Sequence, residues 1–72
     1  MLDYRQLQAL AAVLEEQSFE KAAQKLHVTQ SAISQRIKQL EDKLGHSLVV
    51  RGTPLQATRA GQQVLKHYRQ VS

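Results

Sequence analysis

Gln30, Ser31, Ser34, Gln35 and Lys38 are polar residues spaced so that one helix would gather them on one face. With Gln30 as zero and about 100° per residue, Ser34, Lys38, Ser31 and Gln35 fall at roughly 40°, 80°, 100° and 140°. Hydroxyls, carboxamides and a lysine are the groups that reach base edges and phosphate oxygens in a major groove. The face carries no large apolar residue, and its acids, Glu41 and Asp42, come only in the last turns. A merely solvated face would intersperse Glu with Lys. The chemistry expected here is therefore recognition of nucleic acid. Catalysis has no comparable constellation. His27, His46 and His67 are the side chains that titrate near neutrality, and none has a partner at metal-ligand spacing. There is neither a glycine-rich phosphate loop nor a nucleophile elbow. Each histidine reads as solvated or edge-packed, and the chain is expected to be no enzyme and to hold neither metal nor cofactor.

Four helices and a short extended excursion must position that face. From Asp3 to about Gln17, Leu7, Leu10, Ala11 and Leu14 recur at i, i+3, i+4 and i+7, with Val13 widening the stripe and Asp3 placed to cap. Ser18 caps a short helix from Phe19 to Leu26, in which Phe19, Ala22, Ala23 and Leu26 share a face. The small Ala22 and Ala23 allow close approach of a second helix. His27 and Val28 form a turn, and Thr29 caps a long helix that runs to Leu44 and closes at Gly45. A short helix, a tight turn and a second helix constitute a helix-turn-helix unit. In the long helix, Ile33, Ile37, Leu40 and Leu44 fall within an arc of about 60°, beside the polar face and with its centre turned about 120° from that face's centre.

Beyond Gly45, Leu48-Val49-Val50-Arg51 predicts a strand, Gly52-Thr53-Pro54 a turn, and Leu55-Gln56-Ala57 a weak returning strand, together a wing. Thr58 caps a last helix from Arg59 to Ser72, with Gly61 as a mild weak point. The expected fold is mainly α, a winged helix-turn-helix with a three-helix core and a short β wing, followed by a linker helix. Residues 1–58 make the winged domain and 59–72 begin the last helix, which is expected to extend beyond residue 72. The apolar positions of that helix, Val64, Leu65, Tyr68 and Val71, exceed what so small a body can cover, so they predict a two-fold seam with a second copy. Leu65 is the one expected to pack back on the first helix, near Leu7 or Leu10.

The 72 residues carry a net charge of +4 and no cysteine. One small domain is the most such a length allows, and a disulfide-stapled scaffold is excluded. No apolar run approaches the ~20 residues of a membrane span, and the opening residues lack a signal-peptide pattern. A cytoplasmic setting away from membranes is expected. The charge is uneven. Asp3, Glu15, Glu16 and Glu20 outweigh Arg5 in the first twenty residues, whereas Lys43, Arg51, Arg59, Lys66 and Arg69 follow with no acid among them. Such a distribution fits a polyanion partner.

Ser18-Phe19, Ala22-Ala23, Leu26, Gln30-Ser31-Ala32, Ser34, Ile37, Leu40-Glu41, Leu44-Gly45, Leu48, Arg51, Thr58 and Gly61 together match a signature running over nearly the whole chain. In these residues the sequence resembles the N-terminal domain of LysR-type transcriptional regulators of bacteria. Tyr4 with Leu7-Gln8-Ala9-Leu10, the run Phe19 to Leu26, and the runs Thr29 to Ala32 and Ser34 to Glu41 resemble the branch that governs basic amino-acid export and metabolism. The resemblance implies a dimer that binds an interrupted palindrome in double-stranded promoter DNA, with helix 29–44 in the major groove. Higher oligomers are within the family's range. It also implies a separate domain for a small effector, a basic amino acid in this branch. Positions matching the family's DNA contacts are Gln30, Ser31, Ser34 and Gln35, with Lys38 further along; Thr29 and Arg36 lie beside them, and Arg51 and Thr53 belong to the wing. The chain departs from the family at Val49, where phenylalanine is usual. It departs again at Thr53-Pro54-Leu55-Gln56, where a wing arginine is common. Arg51 is thus either a phosphate ligand or a strut. Two other readings compete: a basic helical protein-interaction module, and an RNA binder. The RNA binder is disfavoured because only Tyr4 and Tyr68 would remain for stacking.

Overall fold

Each helix starts at a short polar side chain that accepts an otherwise free amide of the first turn. In the computed structural model, which describes residues 3–71, Asp3 accepts the Arg5 N–H at 2.8 Å to open α1 (Tyr4–Glu16). Ser18 Oγ accepts the Lys21 N–H at 3.0 Å before α2 (Phe19–Leu26). Thr29 Oγ1 takes the Ala32 N–H at 3.0 Å before α3 (Gln30–Leu44). Thr58 Oγ1 takes the Gly61 N–H at 3.0 Å before α4 (Arg59–Val71). Each such cap stabilises by about 1 kcal/mol. The Arg5 backbone N–H also holds the Asp3 carboxyl below its ordinary pKa, so this cap is complete above the unfolded carboxyl pKa and fades as pH falls through the folded one. Three helices end on left-handed residues, Gln17 (φ 56°), His27 (φ 58°) and Gly45 (φ 73°). Only the last is a glycine, the residue that adopts this conformation without strain.

The core forms where α1, α2 and α3 meet. Leu10, Val13, Ile33 and Leu40 are fully buried there, and Ala22 and Ala23 are buried as their small size anticipates. Leu14, Leu26 and Leu44 lie at its half-buried margin.

The wing is shorter than the sequence suggests. β1 (Val49–Val50) pairs antiparallel with β2 (Gln56–Ala57), in the register Val49 to Ala57 and Val50 to Gln56. Side chains from elsewhere tie it down. Glu41 Oε2 accepts the Leu48 N–H at 2.8 Å, and Thr58 Oγ1 donates to the Ser47 carbonyl at 2.6 Å. Gln17 brackets the Leu55 backbone, its Nε2 donating to the Leu55 carbonyl at 2.8 Å and its Oε1 accepting the Leu55 N–H at 2.9 Å.

One expectation for α4 needs correction. Gly61 is not a mild weak point: a Cβ there would lie on the Leu48 carbonyl oxygen, 3.1 Å from the carbonyl carbon. The missing side chain is what lets the helix touch the wing backbone. Leu65 packs into the domain's own core at 4% exposure, in the same cluster as Leu7 and Leu10, as expected of it, and so drops out of the seam residues.

Candidate nucleic-acid interface

The polar face of α3 is where the sequence places it. Gln30, Ser31, Gln35 and Lys38 are exposed, and Ser34 is half-buried. Thr29 is exposed at the N-cap, so the residues meant to meet a groove lie in the first turns of a capped helix. Grooves on the two flanks divide the set. On one side a groove of about 400 Å³ is lined by Ser34, Lys38 and Glu41 from α3 and by Ser47, Val49 and Arg51 from the wing. On the other, a recess of about 260 Å³ joins Gln35, Arg36 and Gln39 to Asp3, Arg5 and Gln6 at the start of α1. Ser31, Gln35 and Lys38 stand on the ridge between them.

Arg36 departs from the rest of the set. It lies roughly 100° around the helix from Gln35 and is half-buried on the α1 flank. There it shares the recess with Arg5. Arg5 was not singled out in the sequence, because its partner position lies on another helix. In the same recess Gln6 is only 8% exposed; its Nε2 donates to Gln39 Oε1 at 3.3 Å, and its own Oε1 is without a protein partner.

Arg51 sits in the wing with its guanidinium carbon 4.1 Å from the centre of the Phe19 ring. A cation held against an aromatic face in this way is both a strut and an exposed positive charge. Thr53, at the exposed tip of the wing, lies outside both grooves. Lys38 pairs with Asp42 at 3.9 Å, both side chains more than two-thirds exposed, a contact too weak to hold the ammonium away from another anion. Lys25 differs: its hydrogen bond to Glu15, with Glu16 close by, raises its pKa and engages its charge.

Of the expected seam residues, Val64 is half-buried and lines a mostly apolar recess of about 540 Å³ with Leu44, Ala60 and His67. Tyr68 packs against Tyr4 with the rings tilted by 44° and their centres 5.3 Å apart, and its hydroxyl donates to that of Tyr4 at 3.4 Å. That hydrogen bond raises the Tyr68 pKa. The side chain of Val71 lies outside the described residues. Among the described residues no three His, Cys, Asp or Glu side chains are grouped to hold a metal ion, and no helix is long and apolar enough to cross a membrane.

Known proteins share this fold. The chain is 64% identical over 70 residues to the HTH-type transcriptional regulator ArgP of Aeromonas salmonicida, an alignment covering 97% of this chain and 23% of that protein. It thus spans about a quarter of the length of the curated relative it matches. Its fold superposes on full-length LysG from Corynebacterium glutamicum with bound effector Arg at a TM-score of 0.90 and 39% identity, over 96% of this chain and 24% of that one. It superposes on the BenM DBD/catB site 1 DNA complex at a TM-score of 0.88 and 38% identity, over 96% of this chain and 78% of that one. The lysR-family profile of bacterial regulatory helix-turn-helix proteins matches residues 4–62, which takes in the helices, the wing and the start of α4. The chain belongs to that family, as a winged helix-turn-helix domain.

Proposed function

We propose that this chain is the promoter-reading domain of an ArgP-like bacterial regulator, acting as a dimer on an interrupted palindrome. The observation that carries the reading is the exposed ridge of α3, flanked on one side by the wing cation Arg51 and on the other by Arg5 and Arg36. A polar ridge between two cationic flanks suits a helix laid in a major groove with a phosphate backbone on either side. In this reading Gln30, Ser31, Ser34 and Gln35 meet bases, while Lys38, Arg36 and Arg51 meet phosphates, with Thr29 and Thr53 beside them. Residues 1–58 form the reading head, and 59–72 begin a linker helix whose apolar side around Val64 faces the second copy. A small effector, a basic amino acid as the branch suggests, binds a separate domain in the cytoplasmic full-length regulator. The alternative of a basic protein-interaction module is disfavoured by the scarcity of large apolar side chains on the ridge, where a protein partner would seek aromatic or aliphatic anchors.

Titration of a palindromic duplex against a scrambled duplex at fixed salt tests this. Two protein chains per palindrome are expected, with clear preference over the scrambled sequence. Gln30→Ala is expected to relax that preference at one base pair per half-site, by about 1–3 kcal/mol. Lys38→Ala should instead weaken both duplexes alike. Equal losses on the two duplexes from Gln30→Ala would take Gln30 off the base edge, and equal affinity of the unsubstituted protein for both would remove specific recognition.

A further inference from the structure

Both ends of the wing tip rest on the corner between α1 and α2. Gln17, the left-handed residue that ends α1, turns its carboxamide onto Leu55 and satisfies both the N–H and the carbonyl of that backbone unit. Its Nε2 also donates to the Leu14 carbonyl at 3.0 Å, which ties the amide back to its own helix. Two residues along the chain, the Phe19 ring carries the Arg51 guanidinium. Arg51 and Leu55 bracket Gly52-Thr53-Pro54, so the tip is held at its beginning by residue 19 and at its end by residue 17. A two-stranded ribbon with two residues in each strand has little stability of its own. Without such anchors the tip would have to be ordered on contact with a partner, at a cost in affinity.

We propose that Gln17 is a positioning residue for DNA binding, pre-ordering the wing so that Arg51 reaches the phosphate backbone. The inference rests on the DNA-reading function and adds to it a residue that touches no nucleic acid. The conformation of Gln17 supplies a clean variant. At φ 56° an L residue is mildly strained and glycine is not, so Gln17→Gly removes the carboxamide while keeping or easing the helix end. Gln17→Asn also tolerates this conformation but is one methylene too short to span both Leu55 groups.

The test is a double-mutant cycle between Gln17→Gly and Arg51→Ala, read by duplex affinity and its salt dependence, with thermal unfolding and Leu55 amide exchange measured on each variant. Gln17→Gly is expected to leave the unfolding midpoint unchanged or higher, to speed exchange at Leu55, and to weaken duplex binding about five- to tenfold. Gln17→Asn should behave in the same way. Gln17→Gly should lower the magnitude of the salt slope by about 0.9 per protomer, as Arg51→Ala does, and should add little when Arg51 is already alanine. Unchanged affinity in Gln17→Gly overturns the proposal. So does a full additive loss in the double variant, or an Arg51→Ala variant that binds normally. In those cases duplex binding by the unsubstituted protein leaves the DNA-reading function standing; if that protein binds no duplex, the function itself falls, and this inference with it.

Discussion

Replacing Gly61 by alanine is expected to lower the thermal unfolding midpoint by roughly 10 °C, although alanine is the better helix former. Propensity alone would favour the substitution by about 1 kcal/mol in an exposed helix interior. Gly61 is buried, and the added Cβ would meet the Leu48 carbonyl oxygen with the carbonyl carbon 3.1 Å and Cα 3.3 Å away. Leu48 has nowhere to retreat. Its N–H donates to Glu41, its carbonyl accepts the Thr58 N–H at 3.0 Å, and its side chain is fully buried. The overlap must be relieved by moving α4 outward, which unseats Leu65 from the core. Overpacking of this kind costs about 1–3 kcal/mol, sometimes more. A net loss near 2 kcal/mol converts to the stated shift at about 4–8 °C per kcal/mol for a domain of this size. Gln62→Ala, one position along on the exposed side of the helix, is the control and should leave the midpoint nearly unchanged. Equal or greater stability in Gly61→Ala would show that α4 does not rest on the wing as described.

The helices were legible because their determinants are local. Asp3, Ser18, Thr29 and Thr58 each cap an amide two or three residues away, and Ile33, Ile37 and Leu40 reveal the buried side of α3 by spacing alone. The polar ridge of α3 was legible for the same reason. Contacts that join distant stretches left no comparable pattern. Gln17 and Leu55 are 38 positions apart, and nothing in the neighbourhood of either announces the other. Gly61 looked like a flaw because helix propensity is local, whereas the Leu48 backbone it accommodates comes from the wing. Neither its charge nor its place in a signature shows that Glu41 anchors the first residues of the wing through the Leu48 N–H. Arg36 shows a different limit: its helical angle separates it from Gln35, but only the position of α1 shows that it shares a recess with Arg5.

Affinity for a palindromic duplex is expected to fall by about three orders of magnitude between 50 and 200 mM monovalent salt. Each phosphate neutralised contributes about −0.9 to the slope of log K against log salt. Lys38, Arg36 and Arg51 are the candidates in each protomer, which gives a slope of about −5 for a dimer. Their surroundings leave them available. Lys38 is held only by an exposed contact with Asp42 at 3.9 Å, and Arg51 rests on an uncharged ring. Arg36 has no acid within ion-pair distance among the described residues; Asp3, in the same recess, already pairs with Arg5 at 3.6 Å. Lys25, engaged by Glu15 and Glu16, should not contribute. Lys38→Ala is expected to reduce the magnitude of the dimer's slope by about 2, one phosphate per protomer, whereas Lys25→Ala should leave it unchanged. Fluorescence anisotropy over a salt series reads both slopes directly. A slope near zero for the unsubstituted protein would remove the polyanion reading of this surface. A full slope that survives Lys38→Ala would place Lys38 off the backbone and leave the two arginine-lined flanks of α3 to carry the charge.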